Sequence, residues 1–202
     1  KLKELRIKKT MMLALSEEDI ESAIVKVMNN LYLLPSDADF TAYPDYLEQT
    51  FMPNEENYKE KRVSYFAKQL SKVKDNYDFV IIDCSPNLGR LTISALCAAD
   101  YVIVPVQAAF LPVKGLEALL KTIGRVKKRL NTKLEILGIL ITMVNSQTVF
   151  GKEITDLINL VYGSHIRIFE NQIPRTVRVE ECSADGVSIY KHAGNCSAAK
   201  AY

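Results

Sequence analysis

The chain has 202 residues, of which 48% are hydrophobic and 25% are charged, and its 26 basic side chains nearly balance 24 acidic ones. This composition excludes a disordered tail, a collagen and a coiled coil, and the lack of any apolar run of about 18 residues excludes a transmembrane helix. The length fits a single domain over residues 1–202, and four cysteines without CxxC spacing or an export leader predict a cytosolic protein.

The first half of the chain predicts one weak strand, two helices and one strong strand. The weak strand candidate is at residues 31–34, and residues 57–75 carry apolar side chains at helical spacing. Residues 79–83 form a short apolar run rich in branched side chains, which is typical of a strand buried on both faces. A helix of small and apolar residues is predicted at 88–99.

The second half continues the alternation of strands and helices. We predict strands at 101–105 and 134–144, and helices at 114–130 and 152–162. A further weak strand is predicted at 166–169. This order predicts an α/β fold with a doubly wound, mostly parallel sheet and flanking helices. Ligands bind at the carboxyl ends of the strands in such sheets.

Charge is distributed unevenly along the chain. Residues 16–60 hold eleven acidic side chains against two lysines, whereas residues 114–133 hold seven basic side chains against Glu117 alone. Regularly spaced bases on one side of a helix can neutralise DNA phosphates without reading sequence, although an ordinary solvated helix face fits the same pattern. The candidate DNA-binding residues on this helix are Lys121, Arg125, Lys128 and Arg129.

One motif carries chemistry. The predicted strand at 79–83 ends in Asp83, which is followed by a turn that contains Pro86 and Gly89. A carboxylate at the end of a buried strand is the arrangement of a Walker B acid, which meets Mg²⁺ beside the phosphates of a nucleotide. The spacing alone fits a helix cap or a turn residue equally well.

With this motif and the segments around it, the sequence resembles the ParA/MinD group of deviant-Walker P-loop ATPases, and the partition ATPase (ParA/Soj) branch in particular. The resemblance covers essentially the whole chain and follows the family's order of motifs. The matching segments are Leu33-Leu-Pro-Ser36, Asp83-Cys-Ser-Pro-Asn-Leu-Gly89, Ala99-Asp-Tyr-Val-Ile-Val-Pro-Val-Gln107, Gly115-Leu-Glu117, residues 137–145, Ile173-Pro-Arg-Thr-Val-Arg-Val-Glu-Glu181 and Gly186-Val-Ser-Ile189.

The sequence departs from this family in one respect. The family is defined by a KGGxGKT loop that holds the phosphates, but no GxxxxGK[ST] pattern occurs here, and the single Gly-Lys pair, Gly151-Lys152, is followed by Glu153. We therefore expect a chain that is truncated at the N-terminus, where a βαβ unit is missing, and at the C-terminus as well. We also predict little or no ATP hydrolysis by this chain alone.

The resemblance implies ATP and Mg²⁺ as cofactors of the complete protein and gives each candidate residue a role. Asp83 matches the Walker B acid, a catalytic residue that contacts the metal, and Gln107 lies in the switch segment that senses the γ-phosphate. Asn145 matches a residue that flanks the adenine, although spacing alone also fits a solvated turn. The matching loop that reads the adenine edge through its main chain consists of Ile173, Pro174 and Arg175. A simple proline turn has the same pattern.

The resemblance also implies partners. DNA-contacting arginines of the family fall at Arg175 and Arg178. The expected protein is a bacterial homodimer in the cytoplasm that is associated with the nucleoid. It binds DNA non-specifically and interacts with a ParB-like centromere-binding protein, and no membrane attachment is expected. Two alternatives stay open, namely a non-catalytic regulator that binds DNA or a partner, and a MinD-like positioning ATPase. His165 and His192 have no neighbour at metal-ligand spacing and are expected to be ordinary histidines.

Overall fold

The computed structural model describes residues 7–85, 87–145 and 149–202, with the backbone alone at 110–114 and 149–150. The chain divides into two compact units. The first comprises Lys1–Asp100 with Ile123–Leu134, and the second comprises Tyr101–Thr122 with Glu135–Tyr202. The single domain over residues 1–202 stays a prediction, because compact units defined by internal contacts are not necessarily independent domains.

The first unit is mainly helical. Its helices are α1 (Met11–Ser16), α2 (Tyr43–Thr50), α3 (Tyr58–Leu70) and α4 (Arg90–Ala98), and 3-10 turns occur at Glu21–Ala23, Ala38–Ala42 and Lys74–Asn76. Strands β1 (Val25–Met28) and β2 (Leu31–Leu33) form an antiparallel hairpin. The helices predicted at 57–75 and 88–99 are confirmed with shorter bounds. The weak strand at 31–34 is confirmed as β2, although it pairs antiparallel.

An aromatic core holds the helices of the first unit together. Tyr43 and Tyr65 are almost fully buried with Leu15, Phe66 and Leu70. The Tyr65 hydroxyl donates to the Leu15 carbonyl at 2.7 Å, which ties α3 to the end of α1. Apolar residues at a spacing of three and four along α3 place one stripe against this core, so the amphipathic pattern fixes its orientation.

The second unit is built on a parallel pair of strands. These are β3 (Tyr101–Gln107) and β4 (Glu135–Thr142), and the register runs from Tyr101 opposite Glu135 to Gln107 opposite Thr142. The helices of the remaining chain are α5 (Phe110–Arg129), which begins in this unit, α6 (Val149–Tyr162), α7 (Val177–Asp185), α8 (Ile189–Ala193) and α9 (Ser197–Ala201).

One face of this parallel pair forms the core of the second unit. Val104, Val106, Ile139 and Ile141 are buried, because successive side chains of a strand point to opposite faces. The strands and helices predicted between 101 and 162 are confirmed within a few residues. The weak strand at 166–169 is reduced to one parallel bridge between Ile139 and Ile168.

The strand predicted at 79–83 is wrong, because no strand forms there. Phe79 is 88% exposed and Ile81 is 92% exposed, and no backbone–backbone hydrogen bond forms at these residues among those that the structure describes. A strand exists only through hydrogen bonds to a neighbouring strand, and within the described ranges nothing pairs with this run. An apolar run therefore predicts a strand only where a neighbouring strand is present to pair with it.

Candidate functional site

Asp83 lies beside a cavity in the first unit. The cavity has a volume of about 250 Å³, and Asp37 and Asp83 line it together with Thr41 and Thr92. The turn before α4 is held by hydrogen bonds, since Asn87 N–H donates to Ser85 Oγ at 3.3 Å and Thr92 Oγ1 donates to the Asn87 carbonyl. These two hydrogen bonds link Asn87 to Ser85 and to the first turns of α4.

The floor of this cavity is apolar and aromatic. Tyr43 is 1% exposed and stacks on Phe40 at 5.1 Å between ring centroids. Among the described residues its hydroxyl has no hydrogen-bond partner beyond a weak approach by the Phe66 backbone. Burial is the main cause that raises the pKa of Tyr43. A tyrosine at helical spacing is expected to pack in the core, and the burial of Tyr43 confirms this expectation.

The charge of Asp83 affects its neighbour. Burial, and to a lesser extent the Asp83 carboxylate, raise the pKa of the Cys84 thiol, so this cysteine stays protonated at neutral pH. Asp83 itself is exposed and has no ion-pair partner within the described part of the chain. An unpaired, exposed carboxylate is available to a cation.

The second unit brings two predicted nucleotide-site segments together. Val144 N–H donates to the Ile173 carbonyl at 3.0 Å, and Arg175 N–H donates to the Val144 carbonyl at 3.0 Å. A parallel bridge links Val144 with Pro174. Asn145, the next residue, therefore lies beside the segment Ile173-Pro174-Arg175. Ile173 is buried and anchors the segment, whereas Arg175 is exposed.

Gln107 is at the same edge of this sheet. It is the last residue of β3, it is exposed, and its register partner Thr142 is the last residue of β4. The main chain continues this contact, because Ala108 N–H donates to the Thr142 carbonyl at 3.2 Å. Parallel strands end at the same edge, so Gln107 and Asn145 are both placed where ligands bind to such sheets.

The basic residues of α5 from Lys121 to Arg129 are exposed. Lys121 forms an ion pair with Glu117 at 2.6 Å, and this hydrogen bond lowers the pKa of the glutamate. No ion pair involves Arg125, Lys128 or Arg129 among the residues whose side chains the structure describes. Free cations on an exposed helix are suited to phosphate contacts.

The two arginines near α7 are paired with acidic residues. Arg175 Nη2 lies 3.9 Å from Glu180 Oε1, and Arg178 Nη1 donates to Glu181 Oε2 at 2.9 Å. Sequence reasoning did not consider these glutamates, although the spacing of three residues between Arg178 and Glu181 signals a contact on one helix face. Both arginines are more than half exposed and remain accessible to a large anion.

The described residues fit part of a site for Mg²⁺ and ATP. No group of three or more His, Cys, Asp or Glu side chains that could enclose a metal occurs among them. Mg²⁺ is commonly held by one or two carboxylates together with water and phosphate oxygens, so the single free carboxylate of Asp83 fits this ion. The 202 residues contain no Gly-rich GxxxxGK[ST] segment, so they do not supply a main-chain cradle for the phosphates.

Comparisons with known proteins agree with this architecture. A family model described as an AAA domain matches residues 2–136, which is more than half of the chain. The chain is 34% identical to the chromosome-partitioning ATPase Soj of Treponema pallidum over 87% of its own length and 65% of the relative. It is 38% identical to the sporulation initiation inhibitor protein Soj of Bacillus subtilis over 67% of its own length and 53% of the relative.

A solved structure gives the same result at the level of the fold. Cobyrinic acid a,c-diamide synthase from Mycobacterium smegmatis with a bound ATP analogue and magnesium has a TM-score of 0.72 and 29% sequence identity. The match covers 85% of this chain and 66% of that one. The chain spans between about half and two thirds of the length of the curated relatives described above. The α/β fold predicted from the sequence, with parallel strands and flanking helices, is thereby confirmed.

Proposed function

The chain belongs to the ParA/MinD-type P-loop ATPases, and from this membership we propose that it is a portion of a ParA-type ATPase for plasmid or chromosome partition. One observation carries most of the proposal. The segment Ile173-Pro174-Arg175 is hydrogen bonded beside Asn145 at the sheet edge where β3 ends in Gln107. These residues are distant in sequence, and the fold brings them to one edge, as a nucleotide site requires.

In this proposal each residue has a limited task. In the complete protein, bound ATP with Mg²⁺ would supply the phosphate bond whose hydrolysis ends the DNA-bound state. Asp83 offers a free carboxylate oxygen to the metal, directly or through water. Asn145 and the main chain of residues 173–175 orient the base, because the hydrogen bonds to Val144 hold this segment in place. Gln107, the last residue of β3, is the residue that we expect to respond to the terminal phosphate.

The DNA-binding surface of the proposal consists of cations that touch only phosphates. Exposed bases on α5 give an attraction that does not depend on sequence, and Arg175 and Arg178 add to it. The complete protein would act as a homodimer in the bacterial cytoplasm, where it would associate with the nucleoid. A ParB-like partner would stimulate its hydrolysis. No helix among the described residues could span a membrane.

Nucleotide binding is tested by titrating the chain with a fluorescent ATP analogue, with and without Mg²⁺. We expect saturable, Mg²⁺-dependent binding that Asp83→Asn weakens by about tenfold or more, as for other losses at metal sites. Asp78→Asn is the matched control, because Asp78 is exposed and its replacement removes the same charge at a nearby position in the chain. Absence of binding up to about millimolar analogue, which corresponds to roughly −4 kcal/mol, would contradict a nucleotide site in this chain.

DNA binding is tested by fluorescence anisotropy with two duplexes of unrelated sequence. We expect equal affinity for both, with a linear fall of log K with log salt. The double variant Arg125→Gln/Lys128→Gln should flatten this slope by about two, because each phosphate contact contributes about 0.9. Lys68→Gln/Lys74→Gln makes the same charge change at exposed positions of the first unit and should leave the slope unchanged. A strong preference for one duplex would argue against backbone recognition.

One further candidate has an observation in its favour. The 202 residues contain no phosphate-binding GxxxxGK[ST] segment, which fits a non-catalytic regulator that binds DNA or a partner without nucleotide. The two experiments separate the candidates, because the regulator binds DNA but shows no Mg²⁺-dependent binding of the analogue. The MinD-like positioning ATPase is a member of the same family, and retention on anionic lipid vesicles in place of DNA would favour it.

A further inference from the structure

Arg178 is part of a charged network that joins α7 to α8. Its Nη1 atom donates to Glu181 Oε2 at 2.9 Å, and His192 Nε2 lies 3.3 Å from the same oxygen. The other ring nitrogen, His192 Nδ1, lies 3.5 Å from Asp185 Oδ2. One carboxylate oxygen of Glu181 is therefore shared by an arginine and a histidine.

The members of this network differ in their exposure to solvent. The His192 side chain is 21% exposed, whereas the Arg178 side chain is 60% exposed. The other charged groups on the elements around His192 are Glu180 on α7, which forms its own ion pair, and Lys191 on α8 and Lys200 on α9, which are exposed without an ion pair among the described residues. The histidine is thus held between two carboxylates, while the arginine faces solvent and any anion in it.

Protonation changes what the histidine can donate. A neutral imidazole has one N–H group and an imidazolium has two, so only the charged form donates to Glu181 from Nε2 while its Nδ1–H group and positive charge face the Asp185 carboxylate. Histidines commonly titrate near pH 6.5. Hydrogen bonds from His192 and then from Arg178 lower the pKa of Glu181, so the glutamate stays ionised throughout this range.

We propose that His192 is a pH-sensitive positioning residue that sets how freely Arg178 binds DNA phosphates. This inference rests on the DNA-binding role proposed above. When His192 is protonated, its charge compensates Glu181, and Arg178 is released from a competing carboxylate. When His192 is neutral, Arg178 alone compensates Glu181, and its transfer to a phosphate leaves the glutamate without a cation. Affinity for DNA should therefore rise as the pH falls through the histidine range.

The test compares DNA affinity at pH 8.0 and pH 5.5 by anisotropy at one low salt concentration. Exposed ion pairs of this kind change equilibria by about two- to fivefold, so the wild-type chain should bind DNA more tightly at pH 5.5 by about that factor. His192→Gln should lose this gain, and His165→Gln should retain it. These two histidines are the only ones in the chain, so His165→Gln is a matched control. In an Arg178→Gln background, His192→Gln should have no further effect.

A gain that survives in His192→Gln, or that disappears in His165→Gln, would overturn the inference. If the wild-type chain binds no DNA at either pH, the proposed function fails, and with it the link to DNA. The network is then decided by a double-mutant cycle of Glu181→Gln and His192→Gln in thermal unfolding. Coupling at pH 5.5 that vanishes at pH 8.0 supports a protonation-dependent contact, and absence of coupling at both pH values contradicts it.

Discussion

Gly138 on β4 lies against the segment that follows α6. A Cβ atom at this position would come within 2.8 Å of the Arg167 carbonyl oxygen and 3.0 Å of the Phe169 ring. The close approach allows a backbone hydrogen bond, in which Ile139 N–H donates to that same carbonyl at 2.8 Å. A side chain would have to push apart two segments that this hydrogen bond holds together.

Gly138→Ala should therefore destabilise the chain by about 1–3 kcal/mol, the usual cost of overpacking. Gly124→Ala is the control, since no atom lies within 4 Å of the Cβ that it adds in the interior of α5. There, alanine should stabilise the helix by about 0.5–1 kcal/mol. Urea denaturation of both variants measures the effects, and equal stabilities would contradict the steric explanation.

At the level of elements, one asparagine supports the end of a helix. Asn131 Nδ2 donates to the Leu96 carbonyl at 3.0 Å and to the Ala99 carbonyl at 2.7 Å. The last carbonyls of an α-helix have no partner within the helix, so this side chain satisfies acceptors at the end of α4. All three residues belong to the first unit.

Replacement of Asn131 by Ala should lower the free energy of unfolding by about 1–3 kcal/mol, because two acceptors lose their donor. Asn131→Asp should cost at least as much, since it places a carboxylate against carbonyl oxygens. Asn76→Ala, at an exposed position, should change little. Chemical denaturation checks the order, and an Asp variant as stable as the wild type would show that the two hydrogen bonds contribute nothing.

Elements differed in how well they could be predicted from sequence. Helices α3, α5 and α6 were foreseen because a helical period is local and needs no distant partner. Only strand β2 of the hairpin formed by β1 and β2 is predicted from the sequence. The turn has a signal as well, because Asn30 has a φ of 58°, a conformation that asparagine accepts readily. The strand predicted at 79–83 is wrong because an apolar run becomes a buried strand only when neighbouring strands are present to pair with it.

The residues of the candidate site remain predictions from the family motifs, and the structure shows only where the described ones lie. Family motifs gave Gln107 and Asn145, and the fold places both at one sheet edge. The glutamates that pair with Arg175 and Arg178 are not part of the predicted site, because a pattern of cations alone does not show which carboxylates lie beside them. No sequence signal showed that His192 reaches Glu181, since this contact depends on how α8 packs against α7.

At the level of the whole molecule, a net charge of +2 conceals a strong separation of charge. The acidic stretch at 16–60 and the basic α5 have opposite signs, so salt screening should act on association with DNA more than on the fold. Global stability should respond to pH chiefly where buried groups titrate. Burial is the main cause that raises the pKa of both Tyr43 and Tyr65.

The sign of the resulting pH dependence follows from these shifts. A tyrosine whose pKa is raised in the folded chain favours folding below the ordinary pKa of about 10, and this contribution is lost as the pH rises further. The urea midpoint should thus be level near pH 9 and fall steadily above pH 10. Tyr43→Phe should reduce that fall without loss of stability at pH 8, because its hydroxyl has no well-formed partner. Tyr65→Phe should lose about 1 kcal/mol at pH 8 along with its bond to Leu15. A midpoint that stays constant to pH 11 would contradict these assignments.

The apolar run at 79–83, which pairs with no strand in the described part of the chain, has a kinetic consequence. Amide protons without hydrogen bonds exchange with solvent in little more than the time of a free peptide, whereas those of β4 wait for the sheet to open. Deuterium should therefore enter Phe79, Val80 and Ile81 within seconds, and chymotrypsin should cut first after Phe79. Slow exchange at these three amides would reveal a covering partner in solution. In a cell, the time for which this run stays uncovered therefore sets how long proteases can reach the chain.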